Sequence, residues 1–161
     1  MAWAAAVTNQ WLPLVPGVVM EYEGDTDEGL ERTVVEVLPG TRVVNGVEAT
    51  EVRDRVYLEG DLIEDTHDWF AQDADGNVWY LGEDSKEIEN GVVVSTGGCL
   101  EWGVDGALPG IILWADPGAH RGESYRQEYY EGEAEDFGRA LDLGRTRRGA
   151  GERYRAVNGE R

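Results

Sequence analysis

Apolar and polar residues alternate with period two through much of the chain, and no long segment before Phe137 carries a helical period. Val18, Met20 and Tyr22 alternate with Val19, Glu21 and Glu23. Arg32–Leu38 is rich in β-branched residues, and Ser124–Tyr130 alternates again. Turn signals separate these runs: "GDTDEG" after Glu23, then Pro39–Gly40, Asn45–Gly46, Glu59–Gly60, Asp75–Gly76 and Asn90–Gly91. Asn-Gly between apolar runs is the strongest of these, because a type I′ turn needs positive φ at both central residues. Short strands joined by close turns predict an all-β domain. Its expected form is an antiparallel meander that hides its edges by curling into a barrel-like sheet or by packing as two layers.

The stretch "DWFAQDADGNVWYLGED", Asp68 to Asp84, offers two readings. Asp73, Asp75 and Asn77 around Gly76 have the composition of a calcium loop. An EF-hand, however, needs its glycine at loop position six, and Gly76 is fourth from Asp73. The favoured reading is a hairpin turn with Gly76 left-handed, with calcium held by Asp73, Asp75 and Asn77 as the weaker alternative and no other cofactor expected. The hairpin sets Asp73 opposite Asn77, Ala71 opposite Trp79, Phe70 opposite Tyr80 and Trp69 opposite Leu81. Ile63, Asp65, His67, Trp69, Ala71, Trp79 and Leu81 then share the expected interior face.

The turn at Glu59–Gly60 leaves the next register open. A two-residue loop pairs Asp54 with Asp65 and Val52 with His67, which sets two carboxylates beside an imidazole. One residue more pairs Arg55 with Asp65 and Arg53 with His67, a plain cross-strand ion pair. Asp54, Asp65 and His67 are therefore the candidate acid–base cluster of a hydrolase or isomerase. Trp69, Trp79, Tyr80 and Trp102 are the candidate lining of a ligand pocket, with Pro109–Trp114 as a plug or lid over it. The competing reading of these aromatics is an ordinary core. Surplus aromatics without a catalytic signature favour a non-catalytic domain that binds a small apolar ligand or a protein.

Charge changes the picture of partners. The 161 residues hold 33 acidic and 14 basic side chains, a net charge of −19, which disfavours nucleic acid. Lys86 is the only lysine and Cys99 the only cysteine, so no internal disulfide forms. No apolar run reaches the roughly 18 residues of a membrane span. No phosphate loop, nucleophile elbow or zinc spacing is present. The sequence divides into an irregular segment 1–11, a β-domain 12–137 and a tail 138–161. The first 137 residues hold 30 acids and 7 bases, whereas the last 24 hold 3 acids and 7 arginines. That tail is read as disordered or as the product of a reading-frame change. The sheet is then expected to lack closing strands and to self-associate through an open edge at Ser124–Tyr130.

"LPLVPGVVMEYEG", "EVRDRV", "EDTHDWFAQDADGNVWYLGEDS", "NGVVVST", "GVDGALPGIILWADPG" and "SYRQEYYEGEAED" together resemble a family of uncharacterised, usually exported bacterial β-rich proteins. The resemblance covers about Leu12 to Asp136. It implies a β-rich extracytoplasmic domain and no established activity. The start, "MAWAAAVTNQW", is not a signal peptide of the usual pattern, so a cytoplasmic location is the alternative.

Overall fold

Two-residue turns with positive φ at both positions set the meander. Asn45–Gly46, Glu59–Gly60 and Asn90–Gly91 each take this type I′ geometry, whose twist matches that of the flanking strands. The computed structural model describes residues 2–104, 106–132 and 134–141. Among them are no helix and twelve strands: β1 (Trp3–Ala4), β2 (Val19–Thr26), β3 (Gly29–Val44), β4 (Val47–Leu58), β5 (Asp61–Asp73), β6 (Val78–Glu89), β7 (Val92–Ser95), β8 (Leu100–Glu101), β9 (Leu108–Leu113), β10 (Ser124–Arg126), β11 (Glu128–Tyr129) and β12 (Phe137–Arg139). No helix long and apolar enough to cross a membrane occurs among the described residues.

The main sheet runs in the order β11-β9-β6-β5-β4-β3-β2, with β1 on β5 and with β7 and β8 on β6. All pairs are antiparallel, and the sheet curls into an open half-barrel. The curl has a local cause. Register shifts interrupt β3/β4 between Val37 and Thr41, β4/β5 between Val56 and Tyr57, and β5/β6 between Trp69 and Phe70. Each extra residue bends its strand and increases the right-handed twist. Pro39–Gly40 is such an irregularity within the long β3 and does not end the strand.

Both faces of the sheet carry a core. On the outer face Val44, Val47, Ala49, Trp69, Ala71 and Leu81 pack with Trp3, Trp79 and Trp102. On the inner face Val7, Leu14, Val37, Val52 and Val78 pack with Val35, Phe70, Ile112 and Leu113. The first eleven residues are part of this arrangement. Trp3 pairs with Asp73 of β5, and Val7 bridges to Leu14. Pro109–Leu113 lies within β9 and pairs with β6, so this segment is sheet and not a lid. The stretch Ser124–Tyr130 is two short strands, both paired: β10 with β12, and β11 with β9. The strand at Phe137–Arg139 carries strand structure two residues past 137, where the β-domain was expected to end. The remaining expectation for the tail, from Asp142 on, lies outside the described residues.

The hairpin at Asp73 shows how one side chain builds a turn. Asp73 Oδ1 accepts from the Asp75 and Asn77 amides at 3.0 and 2.9 Å, and Oδ2 accepts from Asn77 Nδ2 at 2.9 Å and Trp79 Nε1 at 2.8 Å. Burial pushes the Asp73 pKa up, but the bonds from Trp79, Asn77 and Asp75 outweigh it and hold the carboxyl below its ordinary value. Replacing Asp73 by Ala should cost about 2–4 kcal/mol in urea unfolding, since several donors lose a charged acceptor. Asp75→Ala, at an exposed side chain, should stay within about 0.5 kcal/mol.

Candidate functional site

The structure separates the sequence candidates. β4 and β5 do turn at Glu59–Gly60, with Leu58 opposite Asp61, but Ile63 is an extra residue on β5. Beyond it Arg55 pairs with Asp65, Asp54 with Thr66 and Arg53 with His67. Asp54 therefore faces the inside of the curl, while Asp65 and His67 face outward. Arg53 donates to both Asp65 oxygens at 2.8 and 2.7 Å and holds the Asp65 pKa below its ordinary value. His67 Nδ1 lies 2.8 Å from Glu51 Oε1. The three-residue acid–base cluster is not assembled.

The aromatic candidates divide in the same way. Trp69, Trp79 and Trp102 belong to the outer core; Trp3 lies 5.7 Å from Trp79 and 5.9 Å from Trp102 between ring centroids. The Arg42 guanidinium covers Trp69 at 3.9 Å. Of the four, only Tyr80 reaches the inner cavity. In the Asp73–Asn77 loop the Asp73 oxygens are taken by internal donors, and Asn77 Oδ1 accepts from the Ala115 amide at 2.9 Å. Asp75 is left as the exposed carboxylate. No group of three or more His, Cys, Asp or Glu among the described residues is arranged to hold a metal ion.

The site that emerges is a cavity of about 600 Å³ inside the half-barrel. Seven strands contribute to it, from Met20 and Tyr22 on β2 to Glu128 on β11. Its apolar wall includes Leu12, Leu14, Val35, Val52, Phe70 and Ile112. Its polar groups are Tyr80, Gln127 and five carboxyls: Asp54, Asp68, Glu83, Glu128 and Asp136. No Lys, Arg or His is among the described residues that line it.

A bulge in β6 creates the central contact. The regular register from Asp73/Asn77 places Asp68 opposite Gly82 and Glu83 opposite His67. With Leu81 as an extra residue, Asp68 pairs with Glu83 instead. Tyr80 and Glu83, three residues apart, then share the inner face. Gly82 permits this with φ 135°, and a Cβ there would lie 2.1 Å from the Leu100 carbonyl oxygen of β8. Any larger residue must displace β8.

The Tyr80 hydroxyl lies 2.6 Å from Asp68 Oδ1 and 2.8 Å from Glu83 Oε2. A hydroxyl has one proton to give. It donates to one carboxylate, and the other contact is a hydrogen bond only when that carboxyl is protonated and donates to Tyr80. Two like charges directly opposite on adjacent strands would also repel. Burial drives Asp68 to about 7; the Tyr80 bond opposes this, and the charges of Glu83, Asp54 and Glu64 reinforce it. Burial likewise raises Glu83 and pushes Asp54 to about 6, with Glu64 adding to both. Burial, reinforced by the neighbouring Asp136 and Glu83, brings Glu128 to about 7. The Tyr80 phenol is pushed upward by its burial and by Asp68 and Glu83, so it remains a donor. The arrangement is a proton-holding acidic floor beneath an apolar wall.

Glu83, Glu128 and Asp136 are not among the candidates that the sequence offers. Their convergence depends on bulges and on a strand from the far end of the chain. The nearest signal was Gly82 inside an apolar strand pattern, which marks a bulge or a close backbone approach. The fold and site define an all-β half-barrel domain with a carboxyl-lined internal cavity. No protein-family model, characterised protein or solved structure matches the chain.

These shifts predict an inverted pH profile. Acids with raised native pKa values bind more protons folded than unfolded, so stability falls as pH rises from about 4 to about 7. Asp65, Asp73 and Asp84, whose pKa values are lowered, act oppositely and lose their contribution as pH falls below about 4. Chemical unfolding should therefore show a maximum at mildly acidic pH. For Asp68 the penalty at pH 8 is on the order of 4 kcal/mol. Asp68→Asn should raise the unfolding midpoint at pH 8 and flatten the slope between pH 4 and 7. A rising profile across that range would contradict the assignment.

Proposed function

We propose that this domain is a non-catalytic binding module that takes a small, largely apolar molecule into the half-barrel cavity. The observation that carries this reading is the cavity itself. Its volume of about 600 Å³ falls in the range of small-molecule pockets, roughly 300–1,000 Å³. Apolar side chains from opposite ends of the chain, Leu12 and Ile112 among them, converge on it with a few polar groups at one end. A concave site of this kind suits a small molecule better than a protein surface, which needs about 800 Å² per partner. The enzyme alternative loses its support with the separation of Asp54 from Asp65 and His67. The extracytoplasmic location implied by the sequence resemblance belongs to the same proposal.

The test uses a neutral apolar fluorophore, N-phenyl-1-naphthylamine, because no Trp is among the cavity's lining residues. Its emission should rise saturably with one site per chain. Val35→Trp, which fills the cavity from β3, should weaken the affinity at least tenfold while the far-ultraviolet circular dichroism stays unchanged. Absence of saturation, or binding indifferent to Val35→Trp, would refute the reading.

A further inference from the structure

We infer that β7 is an interaction surface for a second copy of this chain: two β7 strands pair antiparallel about a two-fold axis through Val93 and join two sheets into one. The inference stands apart from the cavity, since no β7 residue is among those lining it. Val92, Val93 and Val94 are 63, 49 and 52% exposed. Val93 shares a face of the sheet with its partner Ile88, and Val92 shares the opposite face with Glu89, so apolar side chains are bare on both sides. A layer packed on one face would cover only one of these sides. A strand laid alongside covers both, because cross-strand neighbours touch on each face. The backbone is phased for such a strand. Glu89 and Val92 flank the two-residue turn Asn90–Gly91 and bond to each other, so the Val93 N–H and C=O point away from β6. Among the described strands, β7 pairs with β6 alone.

Charge selects a second copy as the occupant. Asn90 to Leu100 holds no charged side chain, in a chain with 33 acidic and 14 basic ones. The matching strand is therefore uncharged, with small apolar side chains at the same spacing, and β7 itself supplies it. The two-fold sets Val93 against Val93, Val92 against Val94 and Gly91 against Ser95, and the Val93 pair exchanges two hydrogen bonds. The edge strand β2 shows the contrast. Leu30 accepts from the Glu59 amide and donates to Glu59 Oε1, so its backbone faces away from β2. Asp25 is opposite Leu30, and its own backbone, with that of Glu21 and Glu23, therefore faces the open edge. A second copy at β2 would set carboxylate against carboxylate, which protects that edge. β7 has no charge to do this. Its four residues and the extra Val94 keep the contact small, so the dimer is weak. The net charge of −19 on each copy opposes association, and salt, by screening it, should strengthen the dimer.

Sedimentation equilibrium of the full chain from about 5 to about 500 µM tests this, with amide hydrogen exchange across the same range. The mass should rise from one chain toward two and stop there, because the two-fold uses up both β7 edges. The association constant should be at least threefold larger at about 0.5 M salt than at about 0.05 M. Exchange of the Val93 amide should slow at least twofold between the ends of the concentration range. Val93→Lys sets two ammonium groups against each other. Val93→Pro removes the outward N–H and leaves the Glu89–Val92 bonds in place. Each should weaken association at least tenfold, with far-ultraviolet circular dichroism unchanged in dilute solution. Glu23→Gln, at the β2 edge, should change it less than twofold. If either Val93 variant loses its fold, the exchange of Val93 in the unaltered chain decides. The mass of one chain at every concentration would overturn the inference. So would growth past two chains, association weakened by salt, a dimer that both Val93 variants leave intact, or a dimer that forms without slowing Val93.

Discussion

A regular strand sends alternate side chains to opposite faces, so Tyr80 and Glu83 belong on opposite sides of a regular β6. The extra residue at Leu81–Gly82 breaks that rule once, and the inner site follows from it. Glu83 moves from beside His67 to beside Asp68, and the Tyr80 hydroxyl comes within hydrogen-bond distance of both carboxyls. The same bulge lets β8 approach Gly82 so closely that a Cβ has no room. The second shift, at Ile63 of β5, acts in concert with it by turning Asp54 and Asp68 inward together. Two single-residue insertions thus convert a meander with mixed faces into a curl with an acidic interior.

A sheet with apolar residues on both faces needs two covers. The outer face is closed by tryptophans, with Trp3 brought from the start of the chain to Trp79 and Trp102. Burying side chains such as Trp69 and Leu81 stabilises the fold by about 1.5–3 kcal/mol each. The inner face is only partly filled, because Val7, Leu14 and Ile112 close one part and leave the cavity beside it. The structure thus divides its tasks between faces. Charges on the outer face are paired, as in Arg53–Asp65 and Arg55–Glu36. The inner carboxyls have no basic side chain beside them among the described lining residues, and burial raises the pKa values of Asp54, Asp68, Glu83 and Glu128. Ionising them is a cost to folding at neutral pH.

Much of the fold was legible in the sequence. The all-β class, the curl and the turns at Asn45–Gly46, Glu59–Gly60, Asp75–Gly76 and Asn90–Gly91 follow from period-two alternation and from residues that tolerate positive φ. The pairs Ala71–Trp79 and Phe70–Tyr80 followed from the same turn logic. Legibility narrowed wherever one residue was inserted. Around Glu59–Gly60 the sequence left two registers open, and the structure takes the second, with Arg55 opposite Asp65 and Arg53 opposite His67. At Leu81 the sequence shows only one more residue in a strand, and the register beyond it changes which side chains face inward. A regular β6 would keep Glu83 on the outer face beside His67. The tryptophans were ambiguous for another reason. Aromatic side chains serve a core and a pocket equally well, and only the position of Trp3 against Trp79 and Trp102 decides between the two. Glu128 and Asp136 arrive through β11 and the chain before β12, which no local pattern connects with β5 and β6.

The central claim is that Asp68 and Glu83 share a proton through Tyr80 inside the curl. Carbon-detected NMR of the side-chain carboxyls, followed from pH 3 to pH 9, tests it most directly. The account predicts that Asp68 titrates near pH 7, that Glu83 responds in the same transition, and that Tyr80→Phe shifts both. An Asp68 carboxyl that titrates near its ordinary value of about 4, independently of Glu83, would contradict it.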